Sequence, residues 1–322
     1  MKTLRSAPLL LVLLTLAWGC SDDGGGGDNP EVTAPEVARQ LTTDASYDGE
    51  ATVSPDGGNV VFVSERSGDY ALWQVAFAGG TASLLVASPA SKPFFASNGD
   101  LYYSKSDTLM RIPAGGGAAV AVDGVTGSAQ LSPDRDWYLW SAPEPGQFDP
   151  YCIWVQRADL SEAAVKLTSP VEGDRYPAWS PTGDRIVFSR SHPSNSNTHL
   201  YVMDADGSNL HALTDTSLDV EDRNPAWSPD GDWVAFERGG TGIGEEKLYK
   251  VKTTGETTTD PAVRLSWETA ENDDDGSPCW SPNGKWIVFE ADRGGNTDIY
   301  VVGEDGEPHS KARGFGSNPL MP

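Results

Sequence analysis

The run Pro225-Ala226-Trp227-Ser228-Pro229-Asp230-Gly231 reads as a strand end that enters a tight turn. Pro229 presets φ for the first corner. Ser228 and Asp230 can bond nearby backbone N–H groups, and Gly231 tolerates the exit conformation. The same run recurs at Ala51–Gly57, Pro177–Gly183 and Pro278–Gly284. A fifth copy, 129–135, ends in Arg135 instead of Gly, and a sixth, 93–99, keeps only the shape. The Ser-equivalent positions are 54, 96, 132, 180, 228 and 281, a spacing of roughly 36–53 residues that matches repeat architectures built of small sheets.

Outward from each turn the pattern continues in the same order. A β run follows, such as Arg185-Ile186-Val187-Phe188, Trp233-Val234-Ala235-Phe236 or Trp286-Ile287-Val288-Phe289. A polar loop leads to a second run, such as Leu200-Tyr201-Val202-Met203 or Ile299-Tyr300-Val301-Val302, and a Gly-rich turn leads to a short strand such as Ala212-Leu213-Thr214. With the strand before the turn this makes four antiparallel strands per repeat, the content of a propeller blade. The expected fold is all-β: a six-bladed β-propeller of four-stranded blades. Trp179, Trp227 and Trp280 end the first strands, where their bulk fills the wedge between neighbouring blades. Arg39-Gln40-Leu41-Thr42 matches the outer-strand signals Lys166-Leu167-Thr168 and Ala212-Leu213-Thr214. It is therefore expected to pair onto the last blade and close the ring, covering an open edge. The competing segment, 309–313, lacks apolar alternation.

These motifs resemble the TolB-type propeller repeat, with its Pro-x-Trp-Ser-Pro-Asp-Gly turn, apolar run and Ile/Leu-Tyr-Val strand. The resemblance spans about residues 39–320 and is strongest in repeats one, four, five and six. TolB carries an additional α/β domain before its propeller, and none is expected here. The resemblance implies a cell-envelope protein that binds other proteins.

The first residues read as an address. Lys2 and Arg5 precede an apolar run, 9–16, and then Ala17-Trp18-Gly19-Cys20. A basic start, a short apolar stretch and small residues before a cut describe a secretory signal too short to span a bilayer. Cys20 directly after Gly19 makes it similar to a lipoprotein signal, with Cys20 the lipid attachment point, although Ala17 stands where Leu is usual. The expected organisation is a signal over 1–19, a tether over 20–37 and a propeller over 38–322. The Gly/Asp-rich tether has a reach on the order of 20 Å. By resemblance to enterobacterial lipoprotein sorting, Ser21 implies the outer membrane, facing either the periplasm or the surface.

Composition narrows the function. The chain has 47 Asp+Glu against 23 Lys+Arg and a formal net charge of -24, with no basic stripe, which excludes nucleic acid as a partner. Three positions before the Pro-equivalent lie Asp48, Asp174, Asp222 and Asp275, a candidate acidic ring at the channel mouth. One reading is a site for Ca²⁺ or another divalent cation. The other is that each Asp bonds the backbone of its own or the neighbouring blade, with Arg175 and Arg223 beside Asp174 and Asp222 as neutralising groups. The loops 64–70, 142–150, 191–199, 239–246 and 291–298 share this face and vary in length, the arrangement in which recognition sits on a rigid scaffold.

No Gly-x-Ser-x-Gly elbow, zinc spacing, P-loop or dinucleotide fingerprint occurs. His192, His199, His211 and His309 are expected on loops or outer strands, away from a channel metal. Cys152 and Cys279 fall on opposite sides of the ring and are expected as unpaired thiols. The sequence therefore points to a monomeric, non-catalytic, lipid-anchored platform for an envelope protein, without a cofactor. A metal-assisted propeller enzyme that cleaves glycan or peptide, and a glycan-binding surface lipoprotein, are the alternatives.

Overall fold

The computed structural model describes residues 38–306, apart from 170, 193–196, 241–243, 255–261, 267–273 and 294. The expected signal, Cys20, the tether up to residue 37 and the segment 309–313 lie outside the described residues.

The described chain is all β. It opens with β1 (Arg39–Gln40). The first sheet contains β2 (Asp48–Val53), β3 (Asn59–Ser64), β4 (Ala71–Ala76) and β5 (Ser83–Val86). The second contains β6 (Ser91–Phe95), β7 (Leu101–Lys105), β8 (Thr108–Ile112) and β9 (Val120–Thr126). The third contains β10 (Gln130–Leu131), β11 (Trp137–Pro143), β12 (Tyr151–Arg157) and β13 (Val165–Lys166). Then come β14 (Gly173–Trp179), β15 (Arg185–Ser191), β16 (Thr198–Asp204) and β17 (His211–Ala212). They are followed by β18 (Glu221–Trp227), β19 (Trp233–Gly240), β20 (Gly244–Lys252) and β21 (Val263–Arg264). The last sheet joins β22 (Asp275–Trp280), β23 (Trp286–Asp292) and β24 (Thr297–Gly303) to β1.

The expectation of six separate four-stranded blades is corrected. Four blades stand as discrete four-stranded sheets, and β14 to β21 make one eight-stranded sheet. The cause is a parallel contact between β16 and β18, where Thr198 pairs with Glu221 and the Thr198 N–H donates to the Val220 carbonyl at 3.2 Å. That hydrogen bond crosses what the repeat pattern marks as a blade boundary.

The turns form as their chemistry dictates. Ser54 Oγ donates to Asp56 at 2.6 Å and accepts the Asn59 N–H at 2.9 Å, while the Gly57 N–H closes on the Ser54 carbonyl at 2.8 Å. Ser132 and Ser228 build the same network, Ser281 does so with Asn283 in the Asp place, and Ser180 Oγ accepts the Arg185 N–H but donates to Asp184. The apolar strand faces bury against one another across the seams between repeats. Val60 and Phe62 of β3 pack with Val288 of β23 and with Ile299 and Val301 of β24, so the first and last sheets share a core. Two of the strand-end tryptophans also bond across a seam: Trp227 Nε1 donates to the Ala178 carbonyl at 3.2 Å and Trp280 Nε1 to the Ala226 carbonyl at 3.1 Å. Cys152 and Cys279 are both unpaired.

β1 pairs antiparallel with β24, Arg39 opposite Val301 and Gln40 opposite Tyr300. Just beyond it, Thr42 Oγ1 donates to Asp298 and accepts the Ile299 N–H, each at 2.9 Å. Thr168, Thr214 and Ser266 accept the corresponding N–H groups of Ile153, Leu200 and Leu248. The residues that mark the outer strands in the sequence thus perform one repeated task.

Candidate functional site at the channel mouth

Asp48 and Asp275 open β2 and β22, Asp174 and Asp222 are the second residues of β14 and β18, and all four are fully buried. None of them lines the central cavity. Each is bonded by an arginine from the far end of the next strand or the loop after it. Arg190 grips Asp174 through two bonds of 2.7 and 2.9 Å, and Arg238 grips Asp222 at 2.6 and 2.8 Å. Arg293 donates to Asp275 at 2.8 Å, and Arg66 bonds Asp48. The four guanidinium groups also lie over aromatic rings, for example Arg238 over Phe236 at 5.1 Å and Arg293 over Tyr300 at 4.9 Å.

Hydroxyls of the preceding repeat add to the set: Thr168 bonds Asp174 and Ser266 bonds Asp275. Burial pushes the Asp174 and Asp275 carboxyls up, against the pull of these partners. The arrangement ties one repeat to the next. Arg175 and Arg223, next in sequence to two of these aspartates, pair elsewhere: Arg175 with Asp149 at 3.1 Å, and Arg223 with Glu221 and Glu246.

The residues that do face the channel lie two positions further on. Every innermost strand with a register break bulges at the same place, between Gly49 and Thr52, Ser91 and Phe94, Arg175 and Ala178, Arg223 and Ala226, and Gly276 and Cys279. The bulge puts a non-glycine residue in the left-handed region each time: Glu50 at φ 48°, Lys92 at 51°, Tyr176 at 53°, Asn224 at 48° and Ser277 at 49°. Such a conformation costs about 1–2 kcal/mol per residue, and strain of this kind concentrates at functional positions. All five line a cavity of about 770 Å³, with Tyr47, Tyr151, Arg175 and Glu290 around them.

The cavity has two electrostatic sides. On one, Glu290 accepts the Glu50 N–H and the Ser277 hydroxyl, each at 2.9 Å, and Glu50 accepts the Lys92 N–H at 2.7 Å. Glu237 accepts the Ser277 N–H at 3.1 Å. Burial raises the pKa of Glu50 and of Glu237. Burial, with Glu290 and Glu50 close by, also raises that of Tyr47. On the other side stands Arg175, 3.7 Å above the Tyr151 ring, with Arg223 lining the space next to it. A second cavity of about 470 Å³ opens here.

Among the described residues no group of three or more His, Cys, Asp or Glu side chains is placed to hold a metal ion. His199, expected in a loop, lies on β16 and is buried, with Nδ1 4.0 Å from Asp222. Burial lowers its pKa. Sequence reading missed the bulge residues. The available signal was the proline that follows four of them, Pro93, Pro177, Pro225 and Pro278.

No family profile matches the chain. A 99-residue stretch is 31% identical to an uncharacterized protein of Agrobacterium fabrum, a match covering 29% of this chain and 32% of that protein. The chain therefore aligns with about a third of that relative's length. Among solved structures, an oligogalacturonate lyase in complex with manganese superimposes with a TM-score of 0.58 at 13% identity, covering 84% of this chain and 93% of that one. TolB from Acinetobacter baumannii gives 0.58 at 17% identity, over 81% of this chain and 61% of TolB. A putative TolB from Agrobacterium tumefaciens gives 0.57 at 19% identity, over 82% and 92%. At these identities the likeness is one of fold: this chain is a β-propeller whose structural neighbours include TolB proteins.

Proposed function

We propose that this chain is a non-catalytic, monomeric binding platform of the cell envelope. It is anchored through lipid on Cys20, at the outer membrane, and its channel mouth receives a protein partner. The observation that carries the reading is the ring of strained bulges. One backbone geometry presents Glu50, Lys92, Tyr176, Asn224 and Ser277, a different side chain in each of five repeats, to a single open cavity. A rigid frame with variable side chains is the arrangement of a recognition surface. The TolB-like neighbours support the envelope setting, and the lyase neighbour keeps turnover of a glycan or peptide as the second reading. That reading is favoured by Glu50, a carboxyl with a raised pKa that lies beside Glu290.

The test is affinity capture from crosslinked native envelopes, with the intact protein and with a Lys92→Gly/Tyr176→Gly variant. Glycine keeps the left-handed backbone and removes the side chains. One protein recovered by the intact chain and lost by the variant is the expected result. Equal recovery by both, or none by either, sinks the platform reading.

A further inference from the structure

In repeats five and six the residue after the second-strand Phe is a glutamate, Glu237 or Glu290. Each carboxylate crosses the seam and accepts the N–H of the next repeat's bulge residue, Ser277 for Glu237 and Glu50 for Glu290. Both need space at the position before that bulge, and both find glycine there. A Cβ on Gly276 would lie 2.7 Å from Glu237 Oε2, and one on Gly49 would collide with Glu290 Oε2.

Repeat four exchanges both partners. Its second strand carries Phe188-Ser189 in the equivalent place, and the position before the next bulge is Arg223. Ser189 is 1% exposed, and its Oγ has no hydrogen-bond partner among the described residues. A serine hydroxyl stops two carbons short of a glutamate carboxylate, and the cavity of about 470 Å³ lies against it. Arg175, Tyr176, His192 and Arg223 form its walls with Ser189. The carboxylate in the wall, Glu221, is paired with Arg223, which reaches Glu246 with another nitrogen. A guanidinium has five N–H donors, so neither Arg175 nor Arg223 is saturated by these contacts.

We propose that this cavity binds a carboxylate brought by a ligand, in the position that Glu237 and Glu290 fill from within the chain. The buried Ser189 hydroxyl donates to it, and Arg223 and Arg175 supply charge where the seams after repeats five and six supply only the space above Gly276 and Gly49. The carboxylate belongs to a small free acid or to a peptide. The inference stands apart from the protein-partner reading, because a small acid tests it directly.

The experiment is calorimetric titration of the full chain with glutarate and, as the neutral control, glutaramide. A short acetylated peptide is titrated both with a free C-terminus and amidated. Glutarate is expected to bind and glutaramide not to. Ser189→Glu, which installs the internal carboxylate, is expected to weaken glutarate at least about tenfold, the scale of one charge-assisted bond. Arg223→Gln is expected to weaken it by a similar factor and serves as the second variant if Ser189→Glu misfolds. Tighter binding of the free-terminus peptide than of glutarate identifies a chain terminus as the source. Equal or weaker binding identifies a small acid. Absence of glutarate binding to the unmodified chain, or equal binding by a folded variant, overturns the proposal.

Discussion

Arg135 occupies a position that glycine holds in the sister turns. Its φ is 67°, against 70° at Gly57, 75° at Gly183, 77° at Gly231 and 69° at Gly284. The turn closes in the same way, with the Arg135 N–H on the Ser132 carbonyl at 2.9 Å. The rest of the repeat therefore imposes the geometry, and the side chain bears a left-handed penalty of about 1–2 kcal/mol. Part of any gain on substitution is returned, because glycine loses more freedom on folding. Arg135→Gly should stabilise the chain by about 0.5–1 kcal/mol, on the order of 1–3 °C in Tm. Paired thermal melts check this, and an unchanged or lower Tm would show that Arg135 makes a compensating contact.

At the scale of the element, the aspartates of the repeated Ser-Pro turn should contribute to a loss of stability in acid. Hydrogen bonds from side-chain hydroxyls, Ser54, Ser132, Thr182 and Ser228 respectively, hold Asp56, Asp134, Asp184 and Asp230 below their ordinary pKa. A depressed folded pKa means stability that is present above the unfolded value of about 3.9 and lost as pH falls through the folded value. Glu237 works in the opposite sense. Its raised pKa gives a contribution that is full below its unfolded value of about 4.3 and lost as pH rises through the folded one. Repeat six shows that a neutral group fills the turn, since Asn283 accepts from Ser281 at 2.8 Å and from the Lys285 N–H at 3.0 Å. Changing the four aspartates to Asn should leave stability at pH 7 nearly unchanged and flatten its fall below about pH 4. Denaturant titrations at pH 7, 5 and 3 measure this. A parallel fall in both proteins would place the acid sensitivity elsewhere.

For the whole molecule the decisive joint is the one between its ends. β1 is two residues long, yet Thr42 is 4% exposed and holds two bonds to the last sheet. Its loss leaves the Asp298 carboxylate and the Ile299 N–H each without that partner in a buried place, at about 1–3 kcal/mol per group. Thr42→Ala should therefore destabilise the chain by about 2 kcal/mol or more. Thr42→Ser, which keeps the hydroxyl, should recover most of that. Equal loss in both variants would assign the effect to the methyl group and not to the closing bonds. The repeat length, the strands, the turns and the outer-strand Leu-Thr signals are all legible in the sequence, because each is a local pattern of a few residues. The same patterns locate Asp48, Asp174, Asp222 and Asp275 at the strand starts, but they set them around the channel. Strand alternation is the only guide to which way they point, and the bulges break that alternation two residues later. Where a buried carboxylate finds its partner depends on groups far away in the chain, as with Thr42 and Asp298 or Glu50 and Glu290. The parallel contact of Thr198 with Glu221, which merges two repeats into one sheet, is likewise a matter of loop path and not of pattern. Short-range periodicity specified the parts, and hydrogen bonds across the seams decided which of their side chains face the cavity.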